Sequence, residues 1–262
     1  MTRALLRGTL AIAHLLIGLL MALVASVDPF DLLNRARLAG SWHRGLLRVL
    51  GVRVRRHGQP VASTHLSVAN HISWLDISII NACEPVRFVA KAEIRDWPLA
   101  GWLASAAGSF YLRRGKGDAP RLVDRLATYL RDGGSVALFP EGTTSDGRNM
   151  RRFQGRMFAA AIEARCKVQP IALRYHPVDG RDLAPFVGDD DLLRHVLRLL
   201  RAPRIDADIT YCPPIDARGC ERTTLADSAQ AAIEHVLAPS FRSATTEAGD
   251  DGGGLLSRAA PP

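Results

Sequence analysis

Cysteine is sparse and scattered in this 262-residue chain: four residues, at positions 83, 166, 212 and 220, with no Cys-x-x-Cys pair. That spacing excludes a zinc ribbon or finger and argues against a disulfide-built scaffold. Lysine is nearly missing, at Lys91, Lys116 and Lys167 only, although Lys and Arg together number 34. The positive charge is therefore carried by arginine, whose planar fork suits phosphate and lipid headgroups; a GC-rich genome produces the same bias. There is no internal repeat, no metal-ligand spacing, no Ser or Cys in a nucleophile motif and no nucleic-acid recognition motif. No metal and no nucleic-acid partner are therefore expected. What is present is 47% hydrophobic and 23% charged residues. That balance supports a packed core and excludes both wholesale disorder and a polytopic membrane protein. The net charge of +8 points to a polyanionic partner: an anionic membrane surface, phosphorylated substrates or nucleic acid, the last the poorest fit.

The arginines are unevenly placed. Gly8 to Val27 is an uncharged run, long enough for a helix to match the hydrocarbon core. A cleaved signal peptide has a shorter apolar core and an Ala-x-Ala-like site. Ala25-Ser26-Val27 matches that site poorly, so a retained anchor is expected. His14 lies inside the run and is expected to face a partner helix or water. Leu32 to His57 then carries seven Arg and no acid, around Trp42. Its apolar residues recur at three- and four-residue steps, which predicts a basic amphipathic helix on the bilayer surface. The positive flank after the apolar run places the remainder in the cytoplasm, at the inner membrane. A helical pair dipping into one leaflet satisfies the same pattern. Residues 1–57 thus read as an anchor plus interfacial helix.

Beyond this region short apolar runs alternate with helical patterns. Strands are predicted at Leu66–Ala69, Val86–Ala90, Ser109–Leu112, Ser135–Phe139, Val168–Tyr175 and Ile205–Tyr211. Helices are predicted at Ile77–Cys83, Pro120–Arg131, Gln154–Arg165 and Asp189–Arg201, the last with acids at its start and bases toward its end. The alternation implies an α/β domain over residues 58–238, with helices on the faces of a sheet. Residues 239–262, rich in Ser, Thr, Gly and Ala, read as a disordered tail.

Three polar blocks follow predicted strands. In the first, Asn70 to Asp76, His71 and Asp76 are five residues apart. On one continuous helix they would point about 140° apart. With His71 on a strand-to-helix turn and Asp76 in the first helical turn, the carboxylate reaches one imidazole nitrogen. It then fixes the tautomer and leaves the other nitrogen as a base. A structural histidine at a capped helix start is the commoner use of that spacing. In the second block, Gly108 to Arg114, a strand ends in adjacent arginines followed by Lys116; this suits a phosphate or simply a solvated turn. In the third, Phe139 to Ser145, Glu141 follows Pro140 at a strand end. An acid there can orient a substrate hydroxyl or hold an arginine, and Gly142 permits close backbone approach. Pro170 breaks the strand after the third block, which suggests a sheet edge or a bulge.

In this order, NHISWLD, GSFYLRR, FPEGTTS and VQPIAL closely resemble the four blocks of the glycerolipid acyltransferase family. The nearest type is the 1-acyl-sn-glycerol-3-phosphate acyltransferases. The resemblance covers about His65 to Tyr175. It implies a mixed central sheet flanked by helices, and acyl transfer from acyl-CoA or acyl carrier protein to a lysophospholipid, without a cofactor. It assigns His71 as general base and Asp76 as its orienting acid. Arg114 and Lys91 bind the acceptor phosphate, and Glu141, Gly142 and Thr143 shape the same pocket. Lysophosphatidic acid is the leading acceptor. Two departures favour another lysolipid, such as lyso-ornithine lipid. Thr144 stands where phosphatidic-acid-forming members usually have Arg, and the fourth block is less proline-rich than usual. A thioesterase and a non-catalytic membrane-binding module are the competing classes.

Overall fold

The computed structural model describes residues 2–27, 34–113, 117–188 and 190–247. Two helices lead the chain, α1 (Thr2–Ser26) and α2 (Arg35–Leu50). Strands and helices then alternate: β1 (Val52–His57), β2 (His65–Ala69), α3 (Leu75–Cys83), β3 (Arg87–Lys91), α4 (Ala100–Ala106), β4 (Phe110–Leu112), α5 (Ala119–Arg131), β5 (Val136–Leu138) and α6 (Ala159–Ala164). The chain closes with β6 (Lys167–His176), α7 (Leu192–Arg201), β7 (Ile205–Tyr211), β8 (Ile215–Asp216) and α8 (Arg222–Glu247).

The strands form one mixed sheet in the order β1-β7-β6-β2-β5-β3-β4, with β8 also on β6. All neighbours run parallel except β6 with β7 and β8. Central strands buried on both faces require near-continuous apolar sequence, and β2 and β5 are buried at every position. Side chains alternate between two cores. Leu66, Val68, Val136 and Leu138 pack with α5, α6 and α8. Ala69, Ala137, Ile171 and Leu173 pack with α2, α3 and α7. The α/β sheet flanked by helices is the architecture expected from the alternation.

Several boundaries differ from expectation. The predicted interfacial helix ends at Leu50, because Gly51 takes the left-handed conformation (φ +74°) that glycine adopts without steric penalty. The alternating residues after it form β1, paired with β7 from Val52–Ile205 to His57–Thr210. Residues 52–57 thus belong to the sheet and not to the membrane-proximal segment. Nor does α2 lie outward on its apolar side: Leu47 and Leu50 are in the core, and Gly40 abuts the Asn81 carbonyl of α3. Trp42 donates its indole N–H to the His14 carbonyl at 3.0 Å, and His14 Nε2 donates to the Trp42 carbonyl at 2.9 Å, with the rings stacked. His14 thus faces a partner helix, as expected. Of the two expectations for Pro170, an edge or a bulge, the edge fails: β6 is inside the sheet, with Pro170 opposite Val68 of β2. It sits between the stretch of β6 paired with β8 and the stretch paired with β7, where no N–H is required of it. The helix α8 continues past Pro239 to Glu247, so the predicted tail begins as helix. Packed turns up to Leu237 nucleate it, and propagation needs less than nucleation.

Candidate active site

The register of the sheet assembles the site. β2 and β5 are parallel neighbours with Val68 opposite Leu138, so the turns leaving their carboxyl ends, at residues 70–74 and 139–145, emerge together. Ligand sites in α/β sheets lie at this edge. On the other side of β2, Asn70 exchanges two hydrogen bonds with the Leu173 backbone, at 2.9 and 2.8 Å. Its amide extends the ladder by one rung and fixes where the turn begins.

His71 sits on that turn and Asp76 in the first turn of α3. The His71 Nδ1–H donates to Asp76 Oδ2 at 2.8 Å. The same oxygen accepts the backbone N–H groups of Ile72 (2.7 Å) and Ser73 (2.9 Å). The Tyr175 hydroxyl donates to Asp76 Oδ1 at 2.6 Å. Asp76 is wholly buried, and four donors compensate its lost hydration. Burial and the carboxylate beside it raise the Tyr175 phenol well above its ordinary value, so it remains a donor. The Asp76 contact assigns the imidazole proton to Nδ1 and leaves Nε2 an acceptor. The ring lies flat on Phe139, centroids 3.8 Å apart and planes 8° apart.

Glu141 is buried, and both its oxygens are taken by backbone. His71 N–H donates to Oε1 at 2.8 Å and Arg151 N–H to Oε2 at 2.9 Å. Burial pushes the carboxyl above the ordinary glutamate value, although the two N–H donors pull the other way. Glu141 thereby ties the turn that bears His71 to the loop after β5, and it is not among the residues lining the cavity beside His71. Ser145 closes the same join, donating its N–H to the His71 carbonyl at 2.8 Å.

A cavity of about 1060 Å³ lies in front of His71, between α1, α2, α3, α4 and the ends of β3, β4 and β5. Lys91, Gly142, Thr143 and Thr144 line it, as does Arg113. Gly142 takes φ +72°, a turn conformation that favours glycine. Arg114, the other predicted phosphate ligand, lies outside the described residues, as does Lys116. Arg156, four residues beyond Arg152, joins the lining. The rest of the lining is mostly apolar but includes His43, Ser78 and Asn81. His43 Nδ1 is 3.1 Å from Ser78 Oγ, and burial with the neighbouring His14 lowers its imidazole to about 4. Among the described residues no cluster of three His, Cys, Asp or Glu side chains suits a metal ion.

Sequence reasoning misses three contributors. Tyr175 ends a predicted strand, and its polar tip beside an apolar run is the available signal. Phe139 reads as part of a block, not as the stacking partner of the base. His195 is buried on α7 and its Nδ1 accepts the Trp74 indole N–H at 3.0 Å. That bond links the first block to α7, and no local pattern announces it.

A histidine held by a buried acid at a sheet edge, beside a large and mostly apolar cavity, is the candidate site, and the chain belongs to the acyltransferase family, whose model (Acyltransferase) matches residues 52–174. More particularly, it is similar to lysolipid acyltransferases. A lyso-ornithine lipid O-acyltransferase of Pseudomonas aeruginosa is 44% identical over 214 residues, 81% of each chain. A 1-acyl-sn-glycerol-3-phosphate acyltransferase of Neisseria meningitidis is 32% identical over 210 residues, 78% of this chain and 82% of the relative. The crystal structure of the 1-acyl-sn-glycerophosphate acyltransferase PlsC from Thermotoga maritima superposes with a TM-score of 0.68 over 91% of this chain and 95% of that one, at 17% identity. That last likeness establishes the fold.

Proposed function

We propose that this enzyme transfers a fatty acyl group from a thioester carrier, acyl-CoA or acyl carrier protein, to the hydroxyl of a lyso-ornithine lipid. The observation that carries the reaction is that His71 lines the cavity while its Nδ1 is held by Asp76, which leaves Nε2 as the acceptor. The acceptor hydroxyl donates to Nε2 and loses its proton there as its oxygen attacks the thioester carbonyl. The C–S bond breaks, and the imidazolium returns the proton to the leaving thiolate. Asp76 stabilises the imidazolium between these steps. Among the described residues no hydroxyl or thiol is hydrogen-bonded to Nε2, which supports direct transfer without an acyl-enzyme. The mostly apolar lining of the cavity suits an acyl chain.

The acceptor reading rests on similarity and on charge. The Pseudomonas relative is named for lyso-ornithine lipid. The cavity is lined by the cations Arg35, Lys91, Arg113 and Arg156, together with the acids Glu93 and Asp118. Both signs in one cavity suit an amino-acid headgroup, with its ammonium and carboxylate, better than a phosphate dianion. Thr144 supplies a neutral hydroxyl there. A second reading, lysophosphatidic acid, is favoured by the Neisseria relative and by the cations themselves. Purified enzyme assayed with paired lysolipids and both donors tests the choice. Faster turnover of lysophosphatidic acid would reverse the order, and free fatty acid formed regardless of added lysolipid would make the enzyme a thioesterase.

We also infer membrane attachment through α1. Its most apolar window has a mean hydropathy of 2.2 and is only 17% buried, unlike a core helix of a water-soluble protein. Arg7, near its start, donates to the carbonyls of Ala202 (2.7 Å) and Pro203 (3.2 Å). A helix tied to the domain at its first turns and packed on α2 suits an orientation along the bilayer in one leaflet. The catalytic domain then stays on the cytoplasmic side with both carriers. Alkaline carbonate washing of membranes checks the attachment: release of the full chain would exclude it.

A further inference from the structure

We propose that the catalytic domain itself docks on the bilayer, through a face made by Trp97–Trp102 and by α7, and that this face fits an anionic lipid surface. The inference rests on the attachment reading for α1 and extends it. Among the described residues, every exposed large hydrophobic side chain lies on α1 or at its carboxyl end, in Trp97–Trp102, or in Val187–Leu197. A soluble surface scatters such residues singly; here they gather around α4 and α7, which together with α2 contact α1.

The local structure of each patch fits insertion. Trp97 and Leu99 are each 47% exposed, and Leu99 holds φ +63°, a left-handed conformation rare for leucine. Strained residues of this kind cluster at functional sites, and here the strain accompanies an exposed apolar side chain. On α7, Leu193 (67% exposed) and Leu197 are one helical turn apart and so share a face. The helix carries Arg194, Arg198 and Arg201 and no acid. Arg198 pairs with Asp190, and Asp191 is occupied capping the helix through the Arg194 N–H. Arg194 and Arg201 are exposed and form no ion pair among the described residues. Exposed leucines flanked by uncompensated arginines are the pattern of an interfacial helix on an anionic membrane.

Continuity with the active site favours lipid over a protein partner. Trp97 and Ala100 line the same cavity as His71, and so do Gly18 and Ala22 of α1. A face that borders that cavity lets acyl chains pass from bilayer to catalytic base without crossing water.

The test uses the full chain and vesicles of phosphatidylethanolamine with phosphatidylglycerol, or of phosphatidylcholine alone. Leu193→Glu/Leu197→Glu is expected to lower vesicle binding by roughly tenfold or more, with an unchanged melting temperature and unchanged turnover of acceptor in detergent micelles. Arg194→Ala and Arg201→Ala are each expected to weaken binding about fivefold on anionic vesicles only. Trp102 is one of four tryptophans; Trp102→Phe is expected to reduce quenching of the protein fluorescence by lipids brominated in the upper acyl chain. If the wild-type chain does not bind vesicles, attachment through α1 fails and this proposal with it. If the wild type binds and these variants bind equally well, only the present inference is overturned. Loss of acyl-carrier-protein-dependent turnover with intact vesicle binding would also overturn it, assigning the face to an acidic protein.

Discussion

Replacing Asp76 by asparagine separates two things a buried acid would do for His71 in its proposed role as general base: choosing its tautomer and supplying negative charge. Asp76 Oδ2 accepts three N–H donors, from His71, Ile72 and Ser73, while Oδ1 accepts one hydroxyl, from Tyr175. An amide has one acceptor side and one donor side. Turning its NH2 toward the place of Oδ2 would oppose three donors; turning it toward Tyr175 requires only that the phenol rotate and accept. The amide introduced by Asp76→Asn should therefore present its oxygen to His71 and preserve the Nδ1–H tautomer. What is lost is the charge facing the imidazolium. Two unit charges at this separation interact by about 4–6 kcal/mol at an effective dielectric of 20, partly offset because the neutral amide no longer needs desolvating as an ion. A charge-assisted bond exceeds a neutral one by about 1–2 kcal/mol. Together these predict a loss in kcat of roughly 10²- to 10³-fold, less than the roughly 10⁴-fold of a site where the wrong tautomer is imposed. Single-turnover acyl transfer gives the rate, and nitrogen NMR of labelled histidine gives the tautomer. Wild-type turnover in Asp76→Asn would refute the acid's role. Protonation at Nε2 in the variant would refute the argument about amide orientation.

Other perturbations have equally definite outcomes. His71→Ala should lower turnover by roughly 10²- to 10⁴-fold or more in a folded protein; near-normal activity would remove the general base from the mechanism. Tyr175→Phe leaves one oxygen of a buried carboxylate without its donor and should reduce stability by about 1–3 kcal/mol, read by chemical denaturation; an unchanged midpoint would mean that water replaces the phenol. His43 is lowered to about 4 in the folded chain against an ordinary value near 6.5. The unfolded state thus takes up the proton first, and stability should fall as pH drops from about 6.5 to about 4, by up to about 3 kcal/mol. His43→Gln should flatten that slope, and an identical slope would exclude His43 as its source. Thr144→Arg should shift preference toward lysophosphatidic acid by roughly ten- to a hundredfold, the value of one charge-assisted contact; an unchanged ratio in competition assays would show that position 144 does not read the headgroup.

Residues that act through local geometry are legible in the chain, and those that act across it are not. The His71–Asp76 spacing makes sense only on a strand-to-helix turn, and the turn is where the structure puts it. Ile205–Tyr211, with its strict alternation, is a strand at its expected limits. The reach of α2 is overestimated because arginine and apolar residues alternate through Val52–His57 much as they do along an amphipathic helix; only Gly51 divides them, and a single glycine is a weak signal. Pro170 misleads because a proline is read as an edge from one strand alone, whereas its tolerance depends on where two other strands stop. The contacts of Glu141 are hidden in the sequence for a related reason. Its chemistry suits substrate, but its partners are backbone groups 70 and 10 residues away in sequence, and backbone donors leave no mark on composition.

The same long-range pairing explains why the acid of the third block accompanies the histidine of the first. β2 and β5 are adjacent and in register, so a turn after one lies against a turn after the other. The base must present Nε2 to a cavity while its own backbone stays fixed, and a turn is the least constrained backbone available. Glu141 removes that freedom by accepting the His71 N–H, and Ser145 does so from the other side by donating to the His71 carbonyl. His71 is thus held at its N–H, its carbonyl, its ring face and its Nδ1, with Nε2 alone left for chemistry. Preorganisation of this kind places the reorganisation energy in folding rather than in the reaction. It follows that Glu141→Gln, which keeps one acceptor and must aim an NH2 at the other donor, should loosen one of the two joins. Its effect should fall on kcat, with little change in the Michaelis constant for either substrate, because Glu141 does not line the cavity. A raised Michaelis constant for the acceptor at constant kcat would instead return Glu141 to the substrate side of the wall.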